Sequence, residues 1–327
     1  MRIFAVIATT CIIITTGLRL WQDRGGPENE PVTIGVLQFT PNNLTTLAGF
    51  KAGLAERGYV EGENIRYVFD GPAEKTSQLD AMMQRLLTQA PDLIFTSPTP
   101  ATLVAQRATE TSKIPIVFAP VNDPITAGII TDVRRPGKNI TGIRLAPSDG
   151  RRLQWLKEIS PALLRVFLPY SANGKSAHTS FQSTKAAAHK LDIELVGRPV
   201  ESQDDISAAM ADLPEDIDAI FLPRDGMVMS RIADFVNLSI RHKIILSTPR
   251  LQQVQTGALT GYGFIGFEVG KQAARLADKI LKGAIAGDLP IETAEDYLFL
   301  NLKTAQAIDL FIDDHILRQA REIIRAN

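Results

Sequence analysis

From Val32 onward the chain alternates short apolar runs with amphipathic ones, and after residue 150 it does so a second time. "VTIGVLQF", "NIRYVF", "DLIFTS" and "IPIVFA" have the length and composition of buried strands. Between them, "LTTLAGFKAGLAERG", "TSQLDAMMQRLLTQ" and "PATLVAQRATETS" have helical spacing, the first stopping at Gly58 and the second capped by Thr76 or Ser77. The second series runs "GRRLQWLKEI", "LRVFLPY", "SFQSTKAAAHKL", "IELVGRP", "DDISAAMADL", "AIFLPR", "MVMSRIADFVNLSIRH" and "KIILS". Strands that are apolar throughout, each followed by a helix, imply parallel sheets covered on both faces. Two such series imply two α/β lobes.

Length agrees, since 327 residues suffice for two domains of roughly 100–200 residues each. Side chains are 45% hydrophobic and 22% charged, with 35 basic against 36 acidic groups. Near neutrality removes the basic face that nucleic acid would demand. The single cysteine, Cys11, excludes a disulfide framework and a cysteine metal site. His178, His189, His242 and His315 are scattered, with no pair at the spacing of a helical zinc site, so no metal is expected.

The first residues differ in kind. Arg2 is followed by "IFAVIATTCIIITTGL", uncharged until Arg19. As a helix this run is roughly 24 Å long, short of a bilayer core of about 30 Å. One positive charge before an apolar run reads as an export signal, cleaved or kept as an anchor, and "QDRGGPENEP" reads as a tether. Residues 1–31 are therefore assigned to export and tethering, and the protein is expected outside the cytoplasm.

Three stretches imitate chemistry. "GYGFIGFEVG" places Gly261, Gly263 and Gly266 in the G-x-G-x-x-G spacing before a helix. A dinucleotide site also needs a following strand with an acidic end, and none is evident; Tyr262 and Phe264 stand where backbone would approach phosphate. "SANGKSA" has the tail of a phosphate loop, but Pro169 occupies the place of its upstream glycine. "PIVFAPVNDPITAGIITDVRRPGKNITG", at 115–142, starts as a strand and then breaks into many turns. Ligands in such sheets sit beyond strand carboxyl ends, so this loop belongs to a cleft rim. Neither a G-x-S-x-G elbow nor a convincing catalytic set is present, so neither an enzyme nor a cofactor is expected.

The segments "IGVLQF", "GYVEGENI", "PDLIFTSPTPAT", "IPIVFAPVNDPITAG", "RPGKNITGI", "GALTGYGFIGFEVGKQAARLADKILKG" and "FLNLKTAQAI" carry a resemblance. Across Val32 to Ile324 the chain resembles the solute-binding components of ABC transporters in the group that includes a tryptophan-binding lipoprotein. The resemblance implies the type I periplasmic-binding-protein architecture, two Rossmann-like lobes with parallel sheets joined by a hinge. It divides the chain into 32–142 with 258–288 as lobe 1 and 143–257 with 289–327 as lobe 2. A monomer that closes over a small organic ligand, carboxylate or amino-acid-like, and delivers it to an ABC permease is expected. A membrane-anchored sensing domain for a signalling partner is the alternative.

The same resemblance puts Phe39, Thr40, Ser97, Thr99, Pro100, Asn122 and Asp123 at the cleft from the first lobe. From the second it puts Tyr170, Ser171, Asn173, Asp225, Arg250 and Tyr262 there. Each also has a plainer reading. Phe39 suits a core, Ser97 and Thr99 suit helix capping, and Asn122 or Asp123 suits an Asx-turn before Pro124. Trp155 shares a helix face with Leu153, Leu156 and Ile159 and reads as packing. Relatives that take amino acids tend to carry Thr-Asp-Asn where this chain has Arg224, Asp225 and Gly226, and an acid near Arg250. An arginine in place of an acid would weaken the hold on an ammonium group, provided it faces the cleft.

Overall fold

The computed structural model describes residues 31–325, so the export readings fall outside the described residues. The first sheet has the order β11-β5-β4-β3-β1-β2. Its strands are β1 (Val32–Gln38), β2 (Ile65–Val68), β3 (Leu93–Ser97), β4 (Ile116–Val121), β5 (Ile140–Arg144) and β11 (Glu292–Thr293). Every pairing in it is parallel. The second sheet has the order β13-β12-β10-β9-β8-β6-β7. It contains β6 (Arg165–Ser171), β7 (Glu194–Val200), β8 (Ala219–Phe221), β9 (Ile245–Thr248), β10 (Thr260–Phe264), β12 (Asp296–Asn301) and β13 (Ala320–Ile324). Only β10 and β12 pair antiparallel.

Each sheet is sandwiched by its own two cores. In the first lobe, Ile34, Val36 and Phe95 face the helices Leu44–Ala55 and Gly266–Leu281, while Leu37, Ile94 and Phe118 face the other side. This is the alternation of side chains along strands buried on both faces. In the second lobe, Val166, Phe221 and Leu298 face one core and Phe167, Ile220 and Phe299 the other. Trp155 is buried in the former, as its helix face implies.

The helices Leu44–Ala55 and Gly266–Leu281 pack with unusual closeness, and glycine makes that possible. A Cβ on Gly49 would lie 1.9 Å from the Phe267 carbonyl oxygen, and one on Gly270 would lie 2.0 Å from that of Thr46. Any larger residue would push the pair apart.

The chain passes between the sheets three times: after β5, after β10 and between β11 and β12. Two of these passages differ from the expected divisions. Thr260–Phe264 does not join the first sheet; it pairs with β9 and β12 in the second. Glu292–Thr293, expected in the second lobe, pairs with β5 of the first. The glycines that make "GYG" look like a loop are what let the strand fit. A Cβ on Gly263 would lie 2.1 Å from the Pro249 carbonyl oxygen, and one on Gly261 would lie 2.7 Å from Val254. They serve backbone packing in a strand, not phosphate approach.

Candidate functional site

A cavity of about 690 Å³ opens between the two lobes. Pro41, Thr45, Asn122 and Leu145 approach it from segments that follow the first sheet's strands, and Arg224, Asp225, Met229, Arg250 and Gln253 from segments that follow the second's. Phe264 lines it at the end of β10, where the chain leaves the second sheet. The location follows from topology, because both sets of segments follow the carboxyl ends of parallel strands.

Among the thirteen expected residues, Asn122, Asp225 and Arg250 line this cavity. The remaining first-lobe candidates do not line it; they lie at the carboxyl ends of β1, β3 and β4. The Phe39 N–H donates to the Ser97 carbonyl at 2.8 Å, so the ends of β1 and β3 lie together. Phe39 itself is half-buried against the first lobe's second core. Thr40 adopts φ 66°, a left-handed conformation that a β-branched residue rarely takes. Ser97 is fully buried and its Oγ has no hydrogen-bond partner. Thr99 and Pro100 open the helix Thr99–Ala108 and are half-buried.

Asp123 forms the turn that its sequence suggests. Oδ1 accepts from the N–H groups of Ile125 at 3.1 Å and Thr126 at 3.0 Å, and Oδ2 from Thr126 Oγ1 at 2.5 Å. The hydroxyl bond above all holds this carboxyl below its usual range.

In the second lobe, Tyr170 stacks on Phe181 at 4.4 Å between ring centroids, and Asn173 is exposed. Ser171 contributes its backbone, donating N–H to Asp225 Oδ2 at 2.7 Å. Tyr262 is placed elsewhere than the cavity lining. Its ring lies 6.4 Å from that of Trp155, against the second lobe's core and beside Arg151. Alternation along β10 explains this: Tyr262 faces the helix Asp149–Ile159, whereas Gly261 and Gly263 face Val254 and Pro249.

Arg224 was not among the expected contacts. It lines the cavity while donating to Ser148 Oγ at 2.5 Å and to the Ala146 carbonyl at 3.4 Å, both on the first passage between lobes. Behind it lies a buried polar cluster. Arg152, 1% exposed, donates to Asp149 Oδ1 at 3.1 Å and to the Leu222 carbonyl at 2.8 Å. Its guanidinium sits 3.6 Å from the centroid of the Phe221 ring. Asp296, at the third passage, is pushed up to about 6 by burial, opposed by Arg224 and a Ser148 hydrogen bond. The signal for Arg224 was in the sequence, since it follows the strand "AIFLP" directly.

Comparison with known proteins agrees with this architecture. Residues 32–324 match the family model described as "ABC transporter substrate binding protein". A tyrosine-binding protein of Clostridioides difficile is 26% identical over 280 residues, covering 85% of this chain and 81% of that protein. Among solved structures, the ABC domain from Streptococcus pneumonia in complex with L-Trp is 25% identical with a TM-score of 0.75. That likeness covers 90% of this chain and all of that one. The ligand-free, open form of a substrate-binding protein with adhesive properties from Clostridium difficile has a TM-score of 0.79 at 23% identity. It covers 91% of this chain and 100% of that chain, and at this identity it speaks for the fold alone. The chain belongs to the family of ABC transporter substrate-binding proteins.

Proposed function

We propose that the protein works outside the cytoplasm as a monomer. It captures a small organic solute, carboxylate or amino-acid-like, in the cavity between its lobes and presents it to an ABC permease. The observation that carries this reading is the cavity itself. It has both polar and apolar walls, draws on both lobes and sits where the chain crosses between the sheets, so a solute held by both rims would favour the closed arrangement. The tyrosine-binding and L-Trp-bound relatives support an amino-acid-like solute as one arm of this proposal. Among the described residues no helix is long and apolar enough to cross a membrane, and the proposal of export rests on residues 1–31. The role is one of binding without turnover.

A thermal-shift screen over amino acids, small organic acids and nucleosides tests this directly. At a hundredfold excess over Kd, a true ligand should stabilise the fold by about 2.7 kcal/mol. The same solute should be recovered chemically unchanged after prolonged incubation. Conversion of the solute would contradict the binding role, and so would a screen in which no solute shifts the melting temperature.

A further inference from the structure

We propose that the cleft selects carboxylates that carry no amino group. This rests on the binding-protein reading above and narrows its ligand. An amino acid offers two charges, and its ammonium needs acceptors with negative charge to spare. The cavity has little of that. Asp225 is the only acidic residue lining it among the described residues, and its carboxylate is already engaged. Oδ1 accepts from the N–H groups of Met227 at 3.0 Å and Val228 at 3.3 Å, capping the short helix Gly226–Met229. Oδ2 accepts from the Ser171 N–H at 2.7 Å. Three of its roughly four lone-pair directions are thus filled by backbone donors. The side chain is 7% exposed. Asp123, beside Asn122 on the opposite rim, is committed to its own turn in the same way.

The positive groups stand differently. Arg250 is exposed on the cavity wall, and among the described residues its guanidinium has no hydrogen bond or ion pair. Partial burial of the guanidinium on the wall and, secondarily, the Arg224 cation lower its affinity for a proton. Two like charges therefore face one partly dehydrated space. Arg224 shares its charge with Asp296 behind the wall, whereas among the described residues no acidic group offsets Arg250. An incoming carboxylate neutralises Arg250 and relieves its repulsion with Arg224. A free ammonium would add a third cation. Leu145, Met229, Pro249 and Phe264 supply an apolar wall for the carbon body.

Matched pairs that exchange ammonium for hydroxyl isolate the effect: phenyllactate against phenylalanine, indole-3-lactate against tryptophan, and malate against aspartate. Calorimetry on the purified protein should find at least one hydroxy acid that binds tenfold or more tightly than its amino acid. Arg250→Gln should weaken that hydroxy acid at least tenfold, with Arg250→Lys restoring part of the loss and both variants melting like wild type. An amino acid that binds as tightly as its hydroxy acid, or an Arg250→Gln variant with undiminished affinity, overturns the proposal. A neutral solute that binds while every acid fails overturns it too, yet leaves the binding-protein reading standing. Failure of every solute class counts against both.

Discussion

Replacing Arg152 with methionine is expected to destabilise the protein by about 3–5 kcal/mol, the range for breaking a buried ion pair from one side. The loss does not come mainly from the missing attraction. Arg152 is fully enclosed, and burial has already pushed its guanidinium down to about 10. Removing it leaves Asp149, 9% exposed, without its ion-pair partner, while the Ser180 hydroxyl still donates to Oδ2. The Leu222 carbonyl loses a donor as well. The double variant Arg152→Met with Asp149→Asn should recover a sizeable part of the loss, because it deletes the stranded charge. Urea unfolding of the four proteins completes the cycle. An Arg152→Met variant within 1 kcal/mol of wild type would show that this pair does not hold the second lobe together.

The second large effect is a gain that depends on pH. Asp296 is raised from 3.8 to about 6, burial being the main cause, and its Oδ1 has no hydrogen-bond partner. Arg224, Ser148 and Arg152 favour the ionised form, Asp149 opposes it, and Tyr262 lies alongside. A carboxyl whose pKa is higher in the folded state makes that state hold the extra proton between about pH 4 and 6. Its contribution is fully present below about pH 4 and is lost as pH rises through 6. At pH 8 the native protein carries an under-solvated carboxylate, a penalty on the order of 3 kcal/mol at 1.36 kcal/mol per pKa unit. Asp296→Asn should therefore raise stability by about 2–3 kcal/mol at pH 8 but by only about 1 kcal/mol at pH 4.5. Equal destabilisation at both pH values in urea titrations would contradict this assignment.

Much of the fold was legible because buried parallel strands write themselves as apolar runs. "VTIGVLQF" and "IPIVFA" needed no partner to be read. Strand β10 was not legible: glycines at 261 and 263 suggest a loop until Pro249 and Val254 are in place against them. The lobe divisions shifted for the same reason, and the two-residue β11 is too short to leave a periodic signal. At the site, strand ends located the cleft but could not show how each side chain is spent. Asp225 looks like a free ligand carboxylate in the sequence and becomes a cap only when neighbouring N–H groups converge on it, whereas the Asx-turn of Asp123 is already one of its two readings. Tyr262 follows the pleat to the opposite face. Arg224 and Arg250 both reach the cavity, a question of orientation that residue type alone leaves open.

Solute bound between the lobes is expected to draw them together about the three connecting segments. Small-angle scattering of the protein, alone and saturated with the tightest solute from the thermal-shift screen, measures this most directly. With solute bound, a smaller radius of gyration and a narrower distance distribution are expected. A solute that saturates the protein by calorimetry while leaving both unchanged would contradict it.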